Sequence, residues 1–212
     1  MSDVFDDARV TALLDLAWRE DLGAGDRTSE AVVPAAARAH GRVLAKQSVV
    51  VCGLPLLDRV FARLGGAGVQ CHVADGTRVA IGTVVAEVDG TARTLLAGER
   101  LALNLIQHLT GIATLTADCV ARVGGTRLVI RDTRKTVPGM RVLAKYAVRC
   151  GGGTNHRMGL DDAILIKDNH IALFGSDLAA CVRAARDRFP ALPLEIEVRT
   201  LDELAQALPA QP

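Results

Sequence analysis

Of 212 residues, 50% are hydrophobic and 23% charged, a composition of one large or two small globular domains that excludes disorder, collagen and coiled coil. The 25 Lys and Arg stand against 24 Asp and Glu, so no global basic excess exists to coat nucleic acid or anionic lipid, and 3% aromatics argue against base-stacking platforms. Five cysteines, at 52, 71, 119, 150 and 181, are scattered without a C-x-x-C pair, so neither a disulfide framework nor a zinc knuckle is expected, and a reducing cytoplasm is the expected location.

In chain order, MSDVFDDARV has no positive n-region followed by an apolar h-region, so no targeting segment is expected there. Val10, Leu13, Leu14, Ala17 and Trp18 recur at helical spacing as far as Gly23-Ala24-Gly25 and predict a helix covering a sheet; the polar Asp26-Arg27-Thr28-Ser29 reads as a turn. The longest apolar run, Val49 to Leu57, is broken by Gly53 and Pro55 and is far short of a membrane span. Residues 41–51 and 69–89 read as two or three antiparallel hairpins punctuated by Asp75-Gly76 and Asp89-Gly90. A long helix is predicted from about Thr94 to Val120. Beyond it the rhythm alternates: strand 127–130, helix 138–148, strand 163–166, helix 178–188, strand 194–198, helix 201–208. That alternation predicts a parallel sheet or barrel, whose ligands bind at the C-terminal ends of the strands.

Charge gathers at those ends. Between Arg131 and His170 there are eight Lys and Arg against four Asp. Asp132-Thr133-Arg134-Lys135 follows the first strand of this region and Lys167-Asp168-Asn169-His170 the second; between them lies Gly151-Gly-Gly-Thr-Asn-His156-Arg157. Converging cations are costly unless an anion neutralises them, and Arg offers planar two-point recognition of carboxylate or phosphate, so the expected ligand is a small polyanion. Arg141, Lys145 and Arg149, spaced four apart, read instead as a solvated helix face, and Gly151 as the left-handed C-cap of that helix.

In Leu194-Glu195-Ile196-Glu197-Val198, period-2 alternation turns both glutamates to the barrel interior, with Lys135 and Lys167 as candidates to answer them. Arg100, Asn104, Gln107 and His108 form a polar stripe on the long helix, by itself no more than a solvated face. No P-loop, complete G-x-G-x-x-G, H-E-x-x-H or G-x-S-x-G string occurs, and a Cys150–His156 nucleophilic pair lacks an orienting third group.

Three strings carry a resemblance: Asp132-Thr-Arg-Lys-Thr-Val-Pro-Gly-Met-Arg141, Lys145-Tyr-Ala-Val-Arg-Cys-Gly-Gly-Gly-Thr-Asn-His-Arg-Met-Gly-Leu160 and Ile166-Lys-Asp-Asn-His170. They closely resemble the quinolinate phosphoribosyltransferase family of type II phosphoribosyltransferases, as do Glu20 to Asp26, Ala45 to Gly53 and Glu99 through Thr114. The resemblance implies an α/β fold: an N-terminal α/β sandwich over 1–113 and an open α/β barrel over 114–212, incomplete in this chain. It also implies a homodimer or higher oligomer in which one subunit's sandwich covers the other's barrel mouth.

The implied enzyme is a carboxylating pentosyltransferase of NAD biosynthesis. It joins quinolinate to 5-phosphoribosyl 1-pyrophosphate, giving nicotinate mononucleotide, pyrophosphate and CO2. By resemblance, Arg100, Arg134, Lys135, His156, Arg157, Lys167 and Glu197 bind substrate, and Lys135, Lys167 and Glu197 are catalytic. Mg2+ is expected with the donor, and the family's metal-associated Asp is expected beyond Pro212, among further barrel strands and phosphate loops. Thr136-Val137-Pro138-Gly139 departs from the family's usual Thr-Thr-Pro-Gly. Two alternatives stay open: a molybdate-transport-associated pyridine phosphoribosyltransferase-like protein, and a noncatalytic anion-binding protein that keeps the mouth without the donor site. Neither nucleic acid nor membrane is an expected partner.

Overall fold

The computed structural model describes residues 4–212, which form two compact units, the first running to His156 and the second Arg157–Pro212. Helix α1 (Ala8–Asp21) forms where its periodicity predicts. Asp7 caps it by accepting from Arg9 N at 2.8 Å, and Val10, Leu14 and Trp18 are buried at i, i+4, i+8. Hydrogen bonds from Arg9 hold the Asp7 carboxyl down at about 2. The expected polar turn at 26–29 is instead the start of a helix, α2 (Arg27–Val32). Asp26 accepts from Ser29 N at 3.0 Å and from the Ser29 hydroxyl, so the polar cluster is a cap rather than a reversal.

Strands β1 (Arg38–Leu44), β2 (Val49–Val50), β3 (Gly68–Cys71), β4 (Arg78–Val79) and β5 (Val84–Thr91) are antiparallel but do not pair as successive hairpins. One sheet runs β1-β5-β3 and the other pairs β2 with β4. Asp89-Gly90 is therefore no turn: it lies inside β5, opposite His40 and Ala39. Gly90 is required by packing, since a Cβ there would meet Leu95 Cδ1 at 2.7 Å. Asp75 accepts from Gly53 N (2.8 Å), Leu54 N (3.0 Å) and Tyr146 Oη (2.9 Å), tying three segments together. The apolar run after Val49 conceals a second unexpected helix, α3 (Leu56–Ala62), which buries Leu56, Leu57, Val60 and Phe61.

Helix α4 (Ala92–Arg122) is capped by Thr91, whose hydroxyl accepts from Thr94 N at 3.1 Å. It buries Leu101, Leu105, Ile106 and Leu109 and leaves Arg100, Asn104, Gln107 and His108 exposed. The expected domain boundary at 113/114 falls inside this helix. An aliphatic core unites α1, α3, α4 and the sheets with helix α5 (Arg141–Cys150). The expected strand at 127–130 does not form. Leu128 and Val129 are exposed, and the segment makes only an isolated parallel bridge, Arg131 with Thr154.

After α5 it is Gly152, at φ +83°, that takes the left-handed position expected of Gly151, whose φ is −79°. Gly151 serves close approach instead, because a Cβ there would collide with Ala113 O and lie 2.6 Å from Thr116 Cβ.

In the second unit, β6 (Ile164–Ile166) and β7 (Leu194–Ile196) pair in parallel, as the alternation predicts. Between them run α6 (Asp168–Phe174), unforeseen in the sequence, and α7 (Leu178–Arg188); α8 (Leu201–Ala207) follows. Ile166, Cys181 and Val182 form the small core, with Leu194 and Ile196 packed on it. Among the described residues no helix is long and apolar enough to cross a membrane.

Candidate active site

In the first unit, the segment after Ile130 and the loop after α5 are stitched together. Asp132 N donates to Thr154 O at 3.1 Å and Thr154 N to Ile130 O at 2.9 Å. The Asp132 carboxylate accepts from His156 N at 2.8 Å, from Asn155 Nδ2 at 2.6 Å and from Lys145 Nζ. Lys145 Nζ also donates to His156 O at 3.0 Å. Lys145 is thus no solvated charge, contrary to its i, i+4 spacing with Arg141 and Arg149. Its side chain is 1% exposed and that of Asp132 7%. Lys145 lies one turn after Val142 on a helix that also buries Leu143, Ala144 and Ala147, so burial there extends round more than one face.

Arg141 is half-buried and donates to Thr136 Oγ1 at 3.2 Å; Arg149 is the exposed member, donating to Asn155 Oδ1 at 2.7 Å.

Beside this network lies a cavity of about 260 Å³ whose walls include His108, Ile112, Thr133, Lys135, Thr136 and Val148. His108 thus gains a place at the site that the polar stripe alone did not give it. Lys135 is exposed and makes no ion pair among the described residues. Arg134 is half-buried, and its Nε is buried without a hydrogen-bond partner in the structure. Arg100 stands on the exposed face of α4.

In the second unit, Arg157 donates through Nη1 to Ala163 O at 3.0 Å, while its Nε is likewise buried without a partner. Each orphaned guanidinium donor matters because buried N–H groups are nearly always satisfied, and an oxyanion arriving at either would satisfy it. Lys167, just past β6, pairs with Glu197 at 2.8 Å, with side-chain exposures of 43% and 51%. Glu197 sits just past β7, its N–H bonded to Ile166 O at 2.9 Å. Of the two cations expected to answer the glutamates, Lys167 takes Glu197. The expected burial of the glutamates does not hold, since Glu195 and Glu197 are both exposed.

Cys150 has Cys52 and Tyr146 as its hydrogen-bonding neighbours, and these hold its thiol below the usual range. Hydrogen bonding to Cys150 and burial push Cys52 up, and burial together with Asp75 does the same for Tyr146. Cys52, Asp75 and Cys150 are the described residues whose ligand atoms gather closely enough to hold an ion. Two thiols do not suit Mg2+, a hard cation that takes oxygen ligands, so this group does not fit the expected metal.

The architecture and the strings at the site find their counterparts among known proteins. The model for the quinolinate phosphoribosyl transferase N-terminal domain matches residues 26–110, and that for the C-terminal domain matches 112–212. The chain belongs to the quinolinate phosphoribosyltransferase family.

It is 46% identical to the carboxylating nicotinate-nucleotide pyrophosphorylase of Mycobacterium leprae, across 98% of this chain and 74% of that relative's length. The NadC structure from Streptococcus pyogenes superposes with a TM-score of 0.90 at 40% identity, over 95% of this chain and 72% of that one. The nicotinate-nucleotide pyrophosphorylase from Francisella tularensis gives 0.89 at 36%, over 96% and 71%. The mixed α/β fold of this family is the fold of this chain.

Proposed function

We propose that the chain catalyses decarboxylating phosphoribosyl transfer from 5-phosphoribosyl 1-pyrophosphate to quinolinate, forming nicotinate mononucleotide, pyrophosphate and CO2. Membership of the family supports the reaction. The observation that supports the site assignment is made in each unit by itself: Arg134 Nε in the first and Arg157 Nε in the second are each buried without a partner, ready for an anionic acceptor. Arg134, Arg157, Lys135, Lys167, His156 and Arg100 form the set that recognises the two carboxylates of quinolinate, with Arg100 serving a partner subunit in a homodimer. The expected location is the cytoplasm.

Departure of pyrophosphate leaves an oxocarbenium-like ribose, which the Glu197 carboxylate stabilises. Loss of the ring 2-carboxylate leaves a carbanion beside a cationic ring nitrogen, and fixed charge on Lys135 and Lys167 favours that step. Mg2+ enters with the pyrophosphate of the donor rather than on a cage of this chain's residues.

The test is release of CO2 from carboxyl-labelled quinolinate in the presence of donor and Mg2+, with nicotinate as the control substrate. The expected result is CO2 and nicotinate mononucleotide from quinolinate and no product from nicotinate. Binding of quinolinate without CO2 release would overturn the catalytic reading.

A further inference from the structure

We infer that the buried Asp132–Lys145 pair is a positioning device for the His156 segment of the anion site, an inference that rests on the quinolinate reading above. The two ions grip one residue's peptide groups from both sides. Asp132 Oδ1 accepts the His156 N–H at 2.8 Å, and Lys145 Nζ donates to the His156 carbonyl at 3.0 Å. Asn155 closes the arrangement, its Nδ2 donating to Asp132 Oδ2 at 2.6 Å and to Lys145 O at 2.9 Å. Lys145 Nζ is thereby committed to Asp132 and the His156 carbonyl, although both ions border the cavity that Lys135 lines.

Two features make this more than a stabilising contact. An ion pair this deeply buried is a poor source of stability, because desolvation offsets its attraction and apolar replacements are often neutral. It is a good source of fixed geometry, and this loop needs one. Gly151-Gly152-Gly153 leaves the chain entering His156 with little conformational restraint of its own. Asp132 also begins the segment that carries Arg134 and Lys135, so a single carboxylate registers both anion-binding segments of the first unit against each other.

The experiment compares wild type, Lys145→Met, and the double variant Asp132→Asn/Lys145→Met, in which the pair is neutral. Quinolinate affinity is read by calorimetry, folding by thermal melting, and the His156 amide by hydrogen exchange. The double variant is expected to melt closer to wild type than Lys145→Met does, yet to bind quinolinate at least tenfold more weakly. In the wild-type chain, His156 N–H exchange is expected to be at least a hundredfold slower than in a free peptide. Restored melting together with wild-type quinolinate affinity in the double variant would overturn the inference, as would free-peptide exchange at His156. If wild type itself binds no quinolinate, the reading of the site fails, and the exchange rate decides on its own whether His156 is gripped.

Discussion

Among the described residues a lysine pairs with a carboxylate in two contrasting environments. Lys145 and Asp132 in the first unit are almost sealed from solvent, whereas Lys167 and Glu197 in the second are about half exposed. A sealed pair cannot exchange partners without leaving a bare charge behind, so it fixes backbone; an exposed pair is weakly held and can open to receive a substrate. Position along the chain is therefore a poor guide to role. Both lysines lie near anion-binding strings, but only Lys167 keeps an ammonium that solvent and ligand can reach.

Substitutions sharpen the contrast. Lys145→Met strands the Asp132 carboxylate and should destabilise the first unit by about 3–5 kcal/mol, whereas Lys167→Met should cost less than about 1 kcal/mol. Denaturant unfolding of the two variants checks this, and equal losses would erase the distinction. Lys135→Ala removes a cation with no ion-pair partner among the described residues, so it should lower kcat/KM for quinolinate by about a hundredfold or more while the melting temperature stays within error. Steady-state kinetics beside a melt would test that.

Gly151→Ala drives a methyl group into the backbone of α4 and should destabilise by roughly 1–3 kcal/mol. Gly152→Ala suffers backbone strain without that collision, its nearest neighbour being Val120 Cγ1 at 3.7 Å, so the two variants separate packing from conformation. Thr91→Ala uncaps α4 without touching either ion pair and should cost about 1 kcal/mol with no change in quinolinate affinity.

The smallest expected effect is on acid stability. Hydrogen bonds from Ser29 hold the Asp26 carboxyl below its ordinary value. Its contribution is therefore complete above the unfolded-state carboxylate range and fades as pH falls through the depressed native value. Asp26→Asn should flatten the acid limb of a stability-versus-pH curve measured from about pH 5 down to 2, and an unchanged limb would contradict the cap.

Helices with long apolar periodicity, α1, α4 and α7, are legible in the sequence because burial on one face writes itself at i, i+3 and i+4. Short helices are not: α2 begins in a polar cluster, and α3 buries Leu56, Leu57, Val60 and Phe61 over only seven residues, too few for the period to stand out after the apolar run that precedes it. Strand pairing departs from the expected hairpins because Asp-Gly signals a hairpin only when nothing else claims the glycine, and at Gly90 the packing of Leu95 does.

At the site, Arg134, Lys135, Arg157, Lys167 and Glu197 stand out from the strings alone. The support beneath them does not. Asp132, Asn155 and Lys145 act through backbone atoms of residues distant in sequence, which no spacing rule records.

The most direct test of the central claim, that orphaned cations hold a dianion, is calorimetric titration of the chain with quinolinate and, separately, with nicotinate, which has one carboxylate fewer. The account predicts saturable quinolinate binding at least tenfold tighter than nicotinate, with the preference lost in Arg134→Ala. Equal affinity for the two acids, or a preference untouched by Arg134→Ala, would contradict it.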